Sequence, residues 1–405
     1  MKKKLIYLYR WFFWTLSRLF VWVYVRPKFN LKKDAQFDPI PKPPFIMISN
    51  HGTFFDPWMV GHYSRYPVSI MMNDNAYKGP WIVSTYLKLI GTFGKRKGVA
   101  DFKATKTMFK QLSDGYPILV FPEGQTTWDG ASQPIFPGIE KIVKKSGASL
   151  VMMKMRGNFL SKPWWAKSFR RGKVIVSCQV VPPEAIAQVS DDELKNLIVK
   201  HIRHNDIKDQ LLTDIKFTGH DLAVGLEKMF WVCKACRHEE TLQFFSNYIK
   251  CNHCNSIWHI DEHMNIKPMN GTMEKIGDLH DYSLFHKDFV QDRITHSTRQ
   301  NVFCADENAI LTEMSAKGEY IPHAEGSLYL CKESITFLAR NNDALSFVFP
   351  LEEIETASFQ RTNLFEIVRK DAALNFQFPG KSVYKWVYYM RNLQNYFEAE
   401  RKGHF

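Results

Sequence analysis

Apolar and polar positions along the first half of the chain predict both strands and helices. Short apolar runs, typical of buried strands, occupy residues 45–49 and 117–121, while residues 173–181 alternate. The Ser-x-x-Glu pattern at residues 190–193 is a capping box and predicts that a helix begins there. The first half of the chain therefore combines strands with helices.

The first 30 residues carry a different pattern. Residues 5–25 are apolar enough to enter a membrane, but Arg10 and Arg18 interrupt the run. Lys3 lies seven residues before Arg10 and so shares its helical stripe, while Trp and Tyr surround the rest; this combination favours the lipid–water interface. We expect residues 1–30 to form a membrane-binding helical segment. A single transmembrane pass also fits the length of about 20 residues, and a buried packing helix is the third alternative.

The last part of the chain repeats short alternating runs between residues 326 and 378, followed by apolar residues at helical spacing. Several strands closed by one amphipathic helix resemble a pleckstrin-homology (PH) or GRAM-type domain, which we assign to residues 325–402. Such domains bind phosphoinositides or membranes, but without an obvious basic cluster a protein-docking or architectural role is an equal alternative. Residues 266–324 form a connector with no assignment.

The charge is unevenly distributed over the 405 residues, a length that predicts two or three domains. The net charge is +13, and residues 1–210 hold 33 Lys/Arg against 15 Asp/Glu, whereas the remainder holds 21 against 26. A basic first half attracts anionic lipid head groups, phosphorylated acyl donors or nucleic acid without discriminating among them. The partner must be identified from other features.

A candidate catalytic pair follows the first apolar run. The predicted strand at residues 45–49 delivers Asn50 and His51, and a helix is predicted to open just past Pro57, so His51 and Asp56 flank a strand-to-helix turn. At such a turn the carboxylate can meet one imidazole nitrogen and leave the other for substrate.

Two other His-x4-Asp pairs, His201/Asp206 and His204/Asp209, have the same spacing. They follow the capping box, and five residues on one helix turn side chains about 140° apart. We therefore expect these two pairs not to touch.

Two further segments supply polar chemistry. Residues 91–98 form a Gly-punctuated cationic loop with Lys95 and Arg96, which can hold phosphate or simply be solvated. The apolar run at 117–121 ends in a Pro-Glu-Gly turn, which brings Glu123 and Gly124 to the edge of the predicted sheet.

In order, these segments resemble a known family. Asn50-His51-x4-Asp56, Phe93-x-x-Arg96, Phe121-Pro-Glu-Gly124 and the strand at 151–157 are similar to the four ordered blocks of the glycerolipid acyltransferases typified by 1-acylglycerol-3-phosphate acyltransferases. The resemblance implies an α/β acyltransferase domain over residues 31–210.

The resemblance also implies a role for each matching residue. His51 is the general base that removes the proton of the acceptor hydroxyl, and Asp56 orients it. Asn50, Lys95, Arg96, Glu123 and Gly124 would then form the substrate-binding side of the site, with Gly124 allowing close backbone approach near the developing oxyanion.

This chain departs from the family pattern after Gly124, where Gln125-Thr126-Thr127 stands in place of the family's frequent Thr-Arg-Ser. Because that arginine is missing, phosphate recognition would rest on Arg96, on Lys95 or on a later basic cluster, which comprises Lys162, Lys167, Arg170, Arg171 and Lys173.

Four cysteines predict a metal site in residues 215–265. Cys233-x2-Cys236 and Cys251-x2-Cys254 stand fourteen residues apart, which is the spacing of a tetrahedral zinc ribbon. With four Cys ligands the zinc should be structural, since no position stays open for water. Two disulfides or free thiols are the alternative, and His253 and His259 are spare ligand candidates.

Together these features predict a membrane-associated acyltransferase on the cytoplasmic face, which is the inner membrane if the source is bacterial. The expected donor is acyl-CoA or acyl carrier protein, and the expected acceptor is a lysophospholipid, with lysophosphatidic acid first. The alternative is a membrane adaptor on an acyltransferase fold, whose ribbon and C-terminal domain bind partners. Nucleic-acid binding is disfavoured because the ribbon lies in the acidic half.

Overall fold

The computed structural model describes residues 2–78, 81–95, 101–269, 275–315, 319–360, 363–370, 372–379 and 382–401. It divides into two compact units, of which the first is Met1–Leu222 with Asp261–Asn265 and the second is Ala223–Ile260 with Ile266–Phe405. Each unit is described by itself.

The first unit is an α/β domain, as the sequence predicts. Its strands are β1 (Leu31–Phe37), β2 (Phe45–Ser49), β3 (Ser69–Asn73), β4 (Phe93–Lys95), β5 (Ile118–Val120), β6 (Ser149–Arg156) and β7 (Val174–Val181). Its helices are α1 (Lys2–Phe20), α2 (Arg26–Lys28), α3 (Asp56–Gly61), α4 (Trp81–Leu89), α5 (Phe102–Ser113), α6 (Ile139–Ser146), α7 (Asn158–Ser161), α8 (Pro183–Gln188), α9 (Asp191–Ile202) and α10 (Asp206–Thr213). A π-helical turn, Val21–Val25, joins α1 to α2.

The seven strands form one mixed sheet in the order β1-β7-β6-β2-β5-β3-β4, in which β2 is central. β2 pairs in parallel with β6 and β5, whereas β7 runs antiparallel to β6. Phe45 and Met47 of β2 belong to the hydrophobic core on one face, while Ile46 and Ile48 belong to the core on the other. The continuous apolar run therefore reflects a strand covered on both faces.

Helix α1 packs one side against the first unit. Trp14 Nε1 donates to the carbonyl oxygen of Ser64 at 3.1 Å, and Arg18 Nε donates to that of His62 at 3.0 Å. The other side exposes large apolar side chains, including Leu5, Leu8, Trp11, Phe12 and Leu19, and Trp22 of the following π-helical turn is exposed as well. Within the described ranges, no helix combines the length and the hydropathy that a membrane crossing requires.

The structure corrects the expectation for one of the additional His-x4-Asp pairs. Helix α9 begins at the predicted capping box but ends at Ile202, and a separate helix begins at Asp206. His204 lies in the break, where its Nδ1 is 2.5 Å from Asp209 Oδ2. The prediction that this pair cannot meet was wrong because it assumed one continuous helix.

Among its described residues, the second unit contains two sheets and two α-helices. A five-stranded sheet comprises β8 (Leu242–Phe245), β9 (Tyr248–Cys251), β10 (Ile257–Ile260), β11 (Asn265–Pro268) and β12 (Gly277–Asp278), followed by α11 (Leu279–Thr295). A seven-stranded antiparallel sheet comprises β13 (Val302–Met314), β14 (Tyr320–Cys331), β15 (Ser334–Ala339), β16 (Phe347–Pro350), β17 (Ile354–Gln360), β18 (Leu364–Arg369) and β19 (Ala373–Gln377), followed by α12 (Val383–Arg401).

The segment that the sequence left without assignment is folded. It supplies α11, β13 and the start of β14, so the seven-stranded sheet begins before residue 325. Trp386, Met390 and Leu393 of α12 are buried, as their helical spacing predicts.

Candidate active site

His51 and Asp56 meet at the carboxyl end of the central strand. β2 ends at Ser49, and α3 begins at Asp56 with Pro57 in its first turn, so the chain reverses between them. His51 Nδ1 lies 2.9 Å from Asp56 Oδ2. The turn therefore places the imidazole and the carboxylate together, as predicted.

Asp56 is fully buried and is held by four donors. Its Oδ2 accepts from the backbone N–H of Gly52 at 2.6 Å and of Thr53 at 2.9 Å, in addition to its contact with His51. Its Oδ1 accepts from Asn158 Nδ2 at 3.0 Å. These bonds offset the cost of burying the carboxylate and fix its orientation toward the imidazole.

The imidazole of His51 is fixed on one side and accessible on the other. Its ring stacks on Phe121 with centroids 4.3 Å apart, and its side chain is 19% exposed. Nε2 makes no hydrogen bond to any described residue. With the Nδ1 proton facing Asp56, Nε2 carries the lone pair that can accept a proton.

Glu123 lies behind this pair. Its Oε1 accepts from the backbone N–H of His51 at 3.1 Å, and its Oε2 accepts from that of Gln133 at 2.7 Å. Burial raises the pKa of the Glu123 carboxyl to about 8, although the two backbone donors act in the opposite direction. Both carboxyl oxygens of Glu123 thus already accept backbone N–H groups of the site. A contact of Glu123 with substrate stays a prediction.

The Pro-Glu-Gly turn and the end of β4 approach each other through Phe136. Gly124 has a φ of +67°, and a Cβ at this position would lie 2.1 Å from the Phe136 ring. The N–H of Gly124 donates to Phe121 within the turn at 3.0 Å. Lys95 Nζ lies 4.9 Å from the centroid of the Phe136 ring, and burial lowers the pKa of this ammonium.

The other two predicted substrate residues differ in what the structure describes. The amide of Asn50 both donates to and accepts from the backbone of Met155, at 2.8 Å in each direction, so it ties the end of β2 to β6. Arg96 lies outside the described residues. Substrate contacts of both stay predictions.

Asn158 is a site residue that the sequence reasoning missed. It follows β6, whose carboxyl end lies beside that of β2, and its side chain reaches Asp56 from 102 positions away. The available signal was a polar residue directly after the fourth family block. Gly52 permits this contact, because a Cβ there would lie 2.8 Å from Asn158 Nδ2.

One member of the later basic cluster is unavailable to a phosphate. The Arg170 side chain is wholly enclosed over the Trp165 ring, where it donates to the sulfur of Met264 at 2.9 Å and to the carbonyl oxygen of Leu222 at 3.1 Å. Its guanidinium is therefore bonded within the first unit and cannot reach a substrate phosphate. The suggestion that Arg170 contacts the phosphate was wrong.

The four ribbon cysteines form a cluster that fits a zinc ion. Cys233 and Cys254 have sulfurs 3.7 Å apart, and those of Cys236 and Cys251 lie 3.8 Å apart. A tetrahedron with Zn–S bonds of about 2.3 Å separates its sulfurs by about 3.8 Å. The structure has all seven cysteines as free thiols.

Of the two spare histidine candidates, one lies beside this cluster. The rings of His253 and His238 stack with centroids 3.5 Å apart, and both have a ligand nitrogen within 4.8 Å of the Cys236 sulfur. His259 instead packs against Tyr248. His238 is a neighbour that the sequence reasoning did not name.

The site is thus a His–Asp pair on a strand-to-helix turn of a mixed sheet. Residues 8–156 match the family described as Acyltransferase. The family predicted from the four ordered blocks is thereby confirmed.

Several solved structures are similar to parts of the chain. They include 1-acyl-sn-glycerophosphate acyltransferase PlsC from Thermotoga maritima, at 18% identity and a TM-score of 0.39, covering 52% of this chain and 79% of that one. The Vps36 N-terminal PH domain (12% identity, TM-score 0.20) covers 24% of this chain and 82% of its own. The human ARAP2 N-terminal PH domain (16% identity, TM-score 0.20) covers 24% and 84%. No curated protein matches the chain.

Proposed function

We propose that the protein transfers a fatty acyl group from acyl-CoA or acyl carrier protein to the free hydroxyl of a lysophospholipid. Lysophosphatidic acid is the first acceptor to test, and its product would be phosphatidic acid. The observation that carries the proposal is the 2.9 Å contact between His51 Nδ1 and buried Asp56, which leaves Nε2 of the imidazole accessible.

In the proposed reaction, His51 Nε2 removes the proton of the acceptor hydroxyl as the oxygen attacks the thioester carbonyl carbon. The C–S bond then breaks, and the thiolate leaves with the proton that His51 returns. Asp56 stabilises the imidazolium between these two steps. Because the hydroxyl attacks directly, no acyl-enzyme and no nucleophilic Ser or Cys is needed.

The proposed acceptor side comprises Lys95, Arg96, Glu123, Gly124 and Asn50. Lys95 supports a phosphate contact because its ammonium lies over the Phe136 ring, which packs against Gly124 of the Pro-Glu-Gly turn. Glu123 and Asn50 would act through the backbone groups that they hold, and Gly124 through the close approach that its missing side chain permits.

We further propose that the exposed apolar side of α1 lies in the membrane interface, with Phe54 beside the site. This would let a lysophospholipid reach His51 from the cytoplasmic leaflet. The cysteine cluster would hold a structural zinc ion that acts in folding and takes no part in acyl transfer.

The test is acyl transfer by the detergent-purified protein, with mixed acyl-CoAs or acyl carrier protein and a panel of lysophospholipids, followed by mass spectrometry. Since general base catalysis contributes roughly a hundredfold to ten-thousandfold, His51→Ala should lower kcat by about that factor. His220→Ala, at an exposed histidine in the same unit, should retain activity. Product at equal rates from His51→Ala would refute the mechanism, and no product with either donor would favour the membrane adaptor.

A further inference from the structure

The first unit contains a cavity of about 870 Å³ that none of His51, Asp56 and Glu123 lines. It opens on one face of the sheet at the edge formed by β1, β7 and β6, beneath α9 and α10. Lys154 and Arg156 stand two residues apart on β6 and so point to the same face. The lining therefore includes two cations side by side on one strand, and it does not include the His–Asp pair described above.

The positive charge of this cavity exceeds its negative charge. Each of its three carboxylates already has a partner: Asp34 pairs with Arg156, and Asp206 and Asp209 both pair with His204. Three lysines also line it, namely Lys154, Lys173 and Lys200. Within the described part of the chain, none of them makes an ion pair.

Of the three lysines that line the cavity, Lys154 alone is not exposed. Its side chain is half-buried. Burial lowers the pKa of its ammonium; the charge of Asp209 acts in the opposite direction, and the charge of Arg156 lowers the pKa further. Withdrawing an ammonium from water costs free energy unless an opposite charge compensates it. A bound anion would supply that charge.

The cations reach the cavity from three different elements, which favours a multivalent anion. Lys154 comes from β6, Lys173 precedes β7, and Lys200 comes from α9. On β7, Ser177 is paired with Lys154 in the strand register and also lines the cavity. A carboxylate ligand is best matched by one bidentate arginine, but Arg156 is already bound to Asp34. A phosphate can instead contact several separate donors, as this cavity offers.

We propose that this cavity binds a phosphate group, carried either by a soluble phosphorylated compound or by a lipid head group, with Lys154 and Lys200 as its main cations. The inference does not rest on acyl transfer, because binding is measurable without an acyl donor.

The experiment is calorimetric titration of the full-length, detergent-purified protein with pyrophosphate. Losing one charge-assisted hydrogen bond should weaken binding by about tenfold to a hundredfold in Lys200→Glu and in Lys154→Met. Lys195→Glu is the matched control, since Lys195 is an exposed lysine of the same helix that does not line the cavity. Its affinity should stay within about twofold of wild type. If Lys154→Met does not fold, the exposed Lys200 still provides the test.

A second arm separates the two sources of phosphate. Binding to phosphatidylcholine vesicles is compared with and without phosphatidic acid. If Lys200→Glu loses only pyrophosphate binding, the ligand is soluble; if it also loses the preference for phosphatidic acid, the ligand is a head group. The proposal is overturned if wild type does not bind pyrophosphate, if both cavity substitutions leave binding unchanged, or if Lys195→Glu weakens it equally.

Discussion

At the scale of single residues, Asn158 and Glu123 form hydrogen bonds that hold the His51–Asp56 pair in place. Asn158 is the donor to Asp56 Oδ1, and Glu123 accepts the N–H of His51. Neither has to touch substrate to affect the reaction, because each fixes a group that holds the imidazole. We treat both as positioning residues.

Replacing Asn158 should slow turnover more than it weakens substrate binding. In Asn158→Ala, the buried Asp56 Oδ1 loses its donor, and a lost bond of this kind corresponds to about a tenfold lower kcat with KM little changed. Asn158→Asp should lose more, since a second carboxylate faces Asp56, and should recover as the pH falls and that carboxylate is protonated. Steady-state kinetics over a pH series check this. An increase in KM at constant kcat would instead indicate a substrate contact.

The raised pKa of Glu123 predicts how stability depends on pH. Between the ordinary carboxyl pKa of 4.5 and the raised pKa of about 8, the folded protein keeps a proton that the unfolded chain releases. Stability should therefore fall as the pH rises through this window. In Glu123→Gln the contribution is absent, so its stability relative to wild type should increase from about pH 5 to about pH 8.

Urea unfolding of the first unit, followed by hydrogen exchange, measures this difference. Glu184→Gln is the control, because Glu184 is exposed on α8. A difference between Glu123→Gln and wild type that is constant across the pH range would exclude the proposed linkage.

At the scale of elements, α1 has two distinct sides. Trp14 and Ser17 face the first unit, where Ser17 Oγ lies 2.5 Å from the Tyr86 hydroxyl, whereas Trp11 and Trp22 are exposed. Arg10 turns inward and donates to Gln111 at 2.8 Å. The arginine that interrupts the apolar run in sequence thus anchors the helix to the domain.

Charge on the exposed side of α1 should weaken vesicle binding. Because inserting a large apolar side chain is worth about 2 kcal/mol, Trp11→Glu and Trp22→Glu should each reduce the partition coefficient by at least about tenfold. Phe245→Glu alters a similarly exposed aromatic residue of β8 and should have little effect. Vesicle flotation provides the measurement. Equal loss in all three variants would argue against α1 as the membrane contact.

At the scale of the whole molecule, the second unit joins the cysteine cluster to the seven-stranded sheet. Lys385 of α12 pairs with Glu239 at 3.1 Å and also with Glu240, both of which lie between the two cysteine pairs. Arg293 of α11 pairs with Glu239 and donates to the Tyr389 hydroxyl at 3.2 Å. The segment between the two cysteine pairs is thus bonded to both α11 and α12.

Removing zinc should destabilise α11 and α12 as well as the ribbon. We expect one zinc ion per chain in the wild type, and its loss on chelation or in Cys254→Ser should increase hydrogen exchange in the ribbon, α11 and α12. Strands β2 and β5 of the first unit should keep their protection. Cys331→Ser, a cysteine outside the cluster, is the control. Faster exchange confined to the ribbon would show that it folds independently of α11 and α12.

The sequence by itself determined those features whose signals are local. The apolar run of β2, the capping box of α9 and the spacing of the two cysteine pairs each depend on residues a few positions apart, and the turn between His51 and Asp56 closes within five residues. Such patterns can be read directly, because the helical and strand periods fix which side chains are neighbours.

The tertiary structure alone decided the contacts between distant segments. Asn158 reaches Asp56 because β6 lies beside β2, His204 meets Asp209 because α9 ends early, and Arg170 is enclosed by packing around it. The cationic cavity likewise collects side chains from strands and helices far apart in the chain. Strand order and packing, which no local period encodes, bring these groups together.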